Sequence, residues 1–292
     1  MERHQITGHT ELIGLLAYPI RHSQSPATHN AAYEKLGVDI VNLAFEVDAP
    51  ELEDAIKGLR ALKLRGANVS MPNKTIVHQY LDEISPAAKL CGAVNTIVNK
   101  DGYLVGHITD GIQSLKDNDI DPAGKKLTIV GSGGAATAVE IQAALDGVAE
   151  MSIFARDDKF KQNALDTVKK INENTNCKAT FYPLEDLDKL KEEMHSSYLF
   201  TNATGVGMKP LEGITYIPDS SFFRPDLIVT DVVYAPHETA MLKMARHAGC
   251  KTMNGQGMML FQAIAAIELI LGKRVDSAYM KEKLGISYVY ED

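Results

Sequence analysis

The sequence predicts an α/β protein in two parts: an N-terminal domain on a mixed sheet, then a doubly wound domain on a parallel sheet, with a cleft between them. Three observations predict it. Apolar runs of strand length alternate with helical stripes along most of the 292 residues. An Asp-Gly step separates two strand-like runs in the first half, the signal of a hairpin and hence of antiparallel pairing. A glycine-rich turn, residues 131–136, follows a strand and opens a helix near the middle of the chain.

Taken in order, residues 12–17 form an apolar strand, 26–36 a helix and 41–47 a strand. A helix from Pro50 follows, with Leu52, Ile56, Leu59 and Leu62 on one stripe. The runs 93–98 and 103–108 flank Lys100-Asp101-Gly102 and make the hairpin. Asp121-Pro122-Ala123-Gly124 marks a fresh start, and the strand 127–130 leads into Gly131. Beyond it come an alanine-rich helix to Leu145, a strand at 151–155, a helix over 160–172, and strands at 179–182, 199–203 and 227–232. Strands alternating with helices imply a parallel sheet covered on both faces. The stretch from Gly257 to Leu284 reads as two helices, the first returning to the front domain. The predicted division is therefore 1–112, completed by 256–292, against 113–255.

Composition narrows the function. Hydrophobic residues at 45% and charged residues at 23% are those of a globular protein. A net charge of −8 argues against a nucleic-acid partner, which would want a basic face. Residues 1–5 are polar and carry no secretory signal, so the expected location is cytoplasmic. The most apolar stretch, 258–271, holds Gln262 and Glu268 and falls short of the ~20 residues a membrane helix needs, so it reads as a buried helix. Cys91, Cys177 and Cys250 are far apart and outside any Cys-x-x-Cys pair, which predicts reduced, buried thiols. No His-Glu-x-x-His or clustered Cys/His set supports a metal. Nothing in the sequence fixes the oligomeric state, and a homodimer is compatible with it.

The turn Gly131-x-Gly133-x-x-Ala136 has the spacing and context of a dinucleotide fingerprint, which makes the second domain Rossmann-type. Gly131 permits the tight turn, Gly133 lets backbone N–H groups approach a pyrophosphate, and Ala136 allows close helix packing. At the end of the next strand, Ala155-Arg156-Asp157-Asp158 falls where the adenosine ribose is contacted. An acid there bonds the 2′-hydroxyl of NAD and repels the 2′-phosphate of NADP, whereas Arg156 suits a phosphate. Two carboxylates against one arginine predict NAD over NADP.

Asn68-Val-Ser-Met-Pro-Asn-Lys74 runs from a strand-like ending through a proline turn to one lysine. A lysine held there can donate a proton, stabilise a developing negative charge or attack a carbonyl. Among 30 Lys and Arg the ordinary reading is a solvated side chain. Ser23 and Ser25, just before Pro26, read equally as helix caps. His22 and His107 read as structural, and Met208, Met258 and Met259 as core residues, with Met258 balanced between core and cofactor.

Taken together, several segments resemble the shikimate dehydrogenase family over nearly the whole chain, most of all its quinate/shikimate branch. They are Pro19-Ile-Arg-His-Ser23-Gln-Ser25-Pro26, Asn68 to Lys74, Gly92-Ala-Val-Asn95-Thr96, Thr109-Asp110-Gly111, Gly131-Ser-Gly-Gly-Ala135, Asn202-Ala-Thr204, Asp231-Val-Val-Tyr234 and Gly255-Gln-Gly-Met258 with Gln262. The resemblance implies a reversible, NAD(P)-dependent reduction of 3-dehydroshikimate to shikimate, a step towards chorismate and the aromatic amino acids. It extends to 3-dehydroquinate and quinate. It implies that Ser23 and Ser25 bind the substrate carboxylate with Tyr234 nearby, and that Ser70, Lys74, Asn95, Asp110 and Gln262 bind the ring hydroxyls and the reacting oxygen. Ser132, Gly133, Gly134, Ala135, Arg156, Asp158, Thr204, Val232, Gly255 and Met258 would line the cofactor.

A polyhydroxy cyclic acid wants a site of hydroxyl, amide and ammonium groups, which these segments supply. Lys74 and Asp110 are the implied catalytic pair: a neighbouring carboxylate favours the charged ammonium, so Lys74 supplies positive charge and a proton while Asp110 orients it and accepts a substrate hydroxyl. Two positions depart from the family pattern. Ile108 stands where members commonly carry asparagine before Thr-Asp-Gly, and Ala155 with two aspartates replaces the Asn-Arg-Thr of NADP-preferring members. Ser70, one methyl smaller than threonine, leaves room for the extra hydroxyl of quinate. The competing reading is a catalytically inactive, NAD-sensing regulatory module of the same fold; Schiff-base chemistry at Lys74 would make a hydride cofactor superfluous.

Overall fold

A computed structural model of the chain describes residues 6–158 and 160–290; the polar stretch 1–5, read above for a leader, lies outside them. Two compact units emerge, one made of the described residues up to Thr109 with Leu260–Ile286, the other of Asp110–Met259 and the described residues from Ser287.

The first unit runs β1 (Glu11–Ala17), α1 (Ser25–Leu36), β2 (Ile40–Glu46), α2 (Leu52–Ala61), β3 (Gly66–Val69), β4 (Glu83–Ile84), α3 (Pro86–Cys91), β5 (Thr96–Lys100) and β6 (Tyr103–His107). Its sheet has the order β2-β1-β3-β5-β6-β4. β1 is parallel to β2 and β3, whereas β5 is antiparallel to both β3 and β6. The sheet is therefore mixed, as the Asp-Gly step predicted. Asp101 and Gly102 adopt φ of 53° and 95°, the two positive values a tight hairpin turn requires. Leu52, Ile56 and Leu59 of α2 are buried, but Leu62 is 75% exposed. The stripe stops one residue early because α2 ends at Ala61 and the chain turns through Lys63 at φ 55°. Helix α9 (Gln256–Leu271) from Leu260 onward and α10 (Ser277–Leu284) complete this unit: Leu260, Ile264, Ile267, Ile270 and Met280 pack with Ile13, Tyr33 and Ile40.

The second unit contains α4 (Gln113–Lys116), β7 (Lys126–Val130), α5 (Gly134–Leu145), β8 (Glu150–Ala155), α6 (Lys161–Asn174), β9 (Lys178–Pro183), α7 (Leu187–Ser196), β10 (Leu199–Asn202), β11 (Ile228–Asp231), α8 (Ala240–His247), β12 (Lys251–Met253) and β13 (Val289–Tyr290). Its sheet order is β13-β12-β11-β10-β7-β8-β9, parallel except where β13 meets β12. Without β13 this is the dinucleotide-fold order, and the order reverses between β7 and β10, beside the strand that feeds the glycine turn. Glu193 of α7 joins Lys126 of β7 at 2.6 Å and Lys189 of its own helix at 2.7 Å, and accepts from Ser152 of β8. Burial alone would raise the Glu193 carboxyl, but these three hydrogen bonds outweigh it and hold it at about 2.

The boundaries differ from the sequence reading in two substantive ways. Asp110 and the two residues after it, expected in the first domain, group with the second unit. Residues 287–290 do not return to the front domain: β13 finds the free edge of β12, and a two-residue strand carries too little pattern to announce that pairing. Cys177 and Cys250 are buried, and burial pushes both thiols up to about 11, whereas Cys91 at the end of α3 is only half-buried. Among the described residues no helix is long and apolar enough to cross a membrane.

Candidate active site

In the first unit, the segment after β3 is fixed from several sides before it reaches Lys74. Ser70 N–H donates to Leu16 O at 3.0 Å, Asn73 N–H to Ser70 O at 2.9 Å, and the fully buried Asn73 side chain donates to Val47 O at 2.8 Å. The carbonyl of Lys74 in turn accepts Val94 N–H at 2.8 Å, which ties the lysine's backbone to the segment that carries Asn95 into β5. Asn95 is 3% exposed. Its Oδ1 accepts from Thr96 Oγ1 (3.0 Å), Thr109 N–H (3.0 Å) and Thr109 Oγ1 (3.2 Å), and its amide donates to Gln262 Oε1 at 3.4 Å. Two residues 167 apart in sequence thus meet in one unit. Ser23 and Ser25 are half-buried at the start of α1. The cap reading fails for Ser25: Gln24 occupies the N-cap without a side-chain bond, and Ser23 Oγ instead accepts Ser25 N–H at 3.2 Å. His22 is exposed, and His107 contributes its backbone carbonyl to Asn95 N–H.

In the second unit, Gly131 has φ +148°, and a Cβ there would stand 2.6 Å from the Ala203 carbonyl oxygen. The fold itself demands that glycine. Gly133 and Gly134 differ, because a Cβ on either would meet nothing within 4 Å. With Ala135 they are exposed at the N-terminus of α5, where backbone N–H groups are unpaired and the helix dipole favours an anion. Residues that the packing does not require to be glycine, facing open space at a helix start, fit a pyrophosphate. Asn163 of α6, which the sequence reading missed, holds this turn by donating to Ser132 O and to Thr137 Oγ1. No local pattern marks it, since its partners lie 26 and 31 residues away.

The segment after β8 is more balanced than its sequence implied. Arg156 pairs with Asp158 at 3.3 Å, and Asp157 pairs with Lys161 at 2.9 Å. Two carboxylates there face two cations, so the charge count behind the NAD expectation has to include Lys161.

Past the ends of β10, β11 and β12, on the other half of the sheet from β8, Val232 N–H donates to Asn202 O at 3.0 Å and Gly255 N–H to Val233 O at 3.0 Å. A Cβ on Gly255 would lie 2.0 Å from the Val232 carbonyl oxygen, so only glycine lets these two segments touch. Below them sits the buried Asp231, a residue of the resemblance given no role in the sequence reading. Its carboxylate accepts from Asn202 Nδ2 (2.9 Å), Val233 N–H (2.9 Å) and Thr239 Oγ1 (2.8 Å), and burial lifts it to about 7 against those bonds. Asn202 Oδ1 accepts from Thr204 Oγ1 at 2.7 Å and Tyr216 Oη at 3.2 Å. A small cavity here is lined by Gly111, Asp231, Val232, Asn254 and Met258 among others. Asp110, 8% exposed, and Tyr234, 52% exposed, also belong to this unit, not to the one holding Lys74.

A parallel sheet in this order, with an open glycine turn after its first strand, defines a Rossmann-type α/β protein of the dinucleotide-binding class. The model of the shikimate dehydrogenase substrate binding domain matches residues 15–97. The shikimate dehydrogenase (NADP(+)) of Listeria innocua is 58% identical over 283 residues, spanning 96% of this chain and 97% of that one. A crystal structure of shikimate 5-dehydrogenase from Listeria monocytogenes, in complex with shikimate and NAD, superposes with a TM-score of 0.94 at 58% identity, covering 97% and 99% of the two chains. The quinate dehydrogenase of Corynebacterium glutamicum, in complex with NAD, shares the fold at a TM-score of 0.84 and 28% identity, over 95% and 99%. The chain belongs to the shikimate dehydrogenase family.

Proposed function

We propose that this protein interconverts 3-dehydroshikimate and shikimate with a nicotinamide dinucleotide. The carrying observation is the 58% identity, across 96% of the chain, to a protein named for that activity. The site chemistry supports it: an open glycine turn in one unit, and hydroxyl, amide and ammonium groups in the other. When bound, the dinucleotide supplies or accepts the hydride at C3 of the substrate. Ser23 and Ser25 hold the substrate carboxylate together with Tyr234, and Ser70, Asn95 and Gln262 bind ring hydroxyls. Asn95 meets the substrate with its amide, its carbonyl being already used by the scaffold. Lys74 holds a proton and a positive charge for the reacting oxygen, and Asp110 accepts a substrate hydroxyl. Ser132 to Ala135 take the pyrophosphate, Arg156 and Asp158 the adenosine ribose, and Thr204, Val232, Gly255 and Met258 the nicotinamide end.

The cofactor preference we propose is NAD, through Asp158, whose carboxylate also engages the neighbouring guanidinium. With Lys161 balancing Asp157, the preference is modest, within about tenfold or ~1.4 kcal/mol. Quinate is the second substrate, on the space left by Ser70.

A steady-state matrix of NAD and NADP against shikimate and quinate tests all three statements. Shikimate with NAD should give the highest kcat/KM. Binding of dinucleotide and shikimate without turnover would replace the enzyme by a sensor. A higher kcat/KM with NADP, the cofactor in the name of the Listeria innocua relative, would reverse the preference, and absence of quinate turnover would remove the second substrate.

A further inference from the structure

The edge strand β13 does more than lengthen a sheet. Thr252 stands opposite Tyr290 and Met253 opposite Val289. Tyr290 Oη accepts a hydrogen bond from Asn254 Nδ2 at 2.9 Å and is bonded to His237 Nδ1. The same imidazole is held from its other side, with Nε2 2.7 Å from Ser287 O. A carbonyl partner puts the proton on Nε2 and leaves Nδ1 an acceptor, and the one Tyr290 hydroxyl proton is shared between Nδ1 and His237 O, 2.9 Å away. Asn254 Nδ2 also donates to His237 O at 2.9 Å, and its Oδ1 accepts Gln256 N–H at 2.9 Å, which starts α9. Tyr288 adds a second hold: its carbonyl accepts Asn254 N–H at 2.9 Å, and its ring fills the space where a Cβ on Gly257 would come within 2.7 Å.

These bonds converge on two segments, the loop after Tyr234 and the turn at Asn254 and Gly255. Those segments are themselves stitched by Gly255 N–H to Val233 O and by the close contact of Gly255 with the Val232 carbonyl. The turn at residues 131–136 is tied from elsewhere, by Asn163. The two ends of the cofactor site therefore have different anchors.

We propose that β13 is a clasp for the nicotinamide end of the site, with Tyr290 a positioning residue that acts through His237 and Asn254 on Val232 and Gly255. The proposal rests on the dinucleotide reading above and divides that site into two separately supported halves. Calorimetric titration of the full chain with NADH and with ADP-ribose, which lacks the nicotinamide, tests it. Tyr290→Phe keeps the ring and removes the hydroxyl; it should weaken NADH binding by about five- to tenfold, the size of one lost hydrogen bond, and leave ADP-ribose affinity within about twofold. Tyr290→Ala should widen that split. Equal weakening of both ligands, or no change in either, overturns the clasp. Wild-type protein that binds neither ligand overturns the dinucleotide reading itself.

Discussion

Lys74 and Glu140 illustrate how differently a charged group can be read at the scale of one residue. Lys74 stands in a turn fixed at Ser70, Asn73 and Val94, so its backbone position is set independently of its side chain. Lys74→Ala should lower kcat at least ~10²-fold while leaving NADH affinity unchanged, measured by steady-state rates beside calorimetry; an active variant would remove Lys74 from the chemistry. Glu140 was invisible as a special residue, since a glutamate in a helical run looks solvated. It is fully buried in α5, and neither carboxyl oxygen has a hydrogen-bond partner among the described residues. Burial lifts its carboxyl from 4.5 to about 8. A raised acid makes the unfolded state the poorer proton binder. Its share of stability is whole below about pH 4.5 and is lost as pH rises towards 8, by up to ~1.4 kcal/mol per pH unit. Glu140→Met should flatten that slope and stabilise the protein at pH 8, as read by urea denaturation across the range.

Among the elements, the β7 turn α5 unit separates folding from binding within three residues. Gly131 is required by the Ala203 carbonyl and by its positive φ, so Gly131→Ala should destabilise by a few kcal/mol, on the order of other backbone-strain substitutions. Gly133 has an ordinary φ of −83° and open space around it, so Gly133→Ala should leave the thermal midpoint nearly unchanged. Dinucleotide affinity should still fall, because the methyl occupies the approach to the backbone amides. Equal midpoints for the two variants, or undiminished NADH binding by Gly133→Ala, would contradict this division. The glycine spacing made this division legible in the sequence, with Gly131 for the tight turn and Gly133 for the approach to a pyrophosphate; the partner that enforces the first, a carbonyl 72 residues away, was not.

For the whole molecule, the alternation of strands and helices and the hairpin at Asp101 were legible because each is a local pattern. The parallel character of the second sheet followed from strands alternating with helices. What stayed hidden is non-local: the Asn95 bond to Gln262, the Asn163 tie, the Asp231 network and the pairing of β13. Each joins residues whose separation erases any periodic signal. NADH at 100 times its Kd should raise the unfolding free energy by up to ~2.7 kcal/mol. Hydrogen exchange should show the slowing at residues 131–137, and a stabilised protein without it there would place the ligand elsewhere.

The late segments of the chain also set a timetable for synthesis. Residues 260–286 supply Leu260, Ile264, Ile267, Ile270 and Met280 to the core of the unit that begins the chain, and residues 289–290 then supply the edge strand of the unit between them. Vectorial folding usually lets the leading domain finish while the ribosome is still translating. Here the leading unit waits with part of its apolar surface uncovered until the following one has been made, so both come to completion almost together.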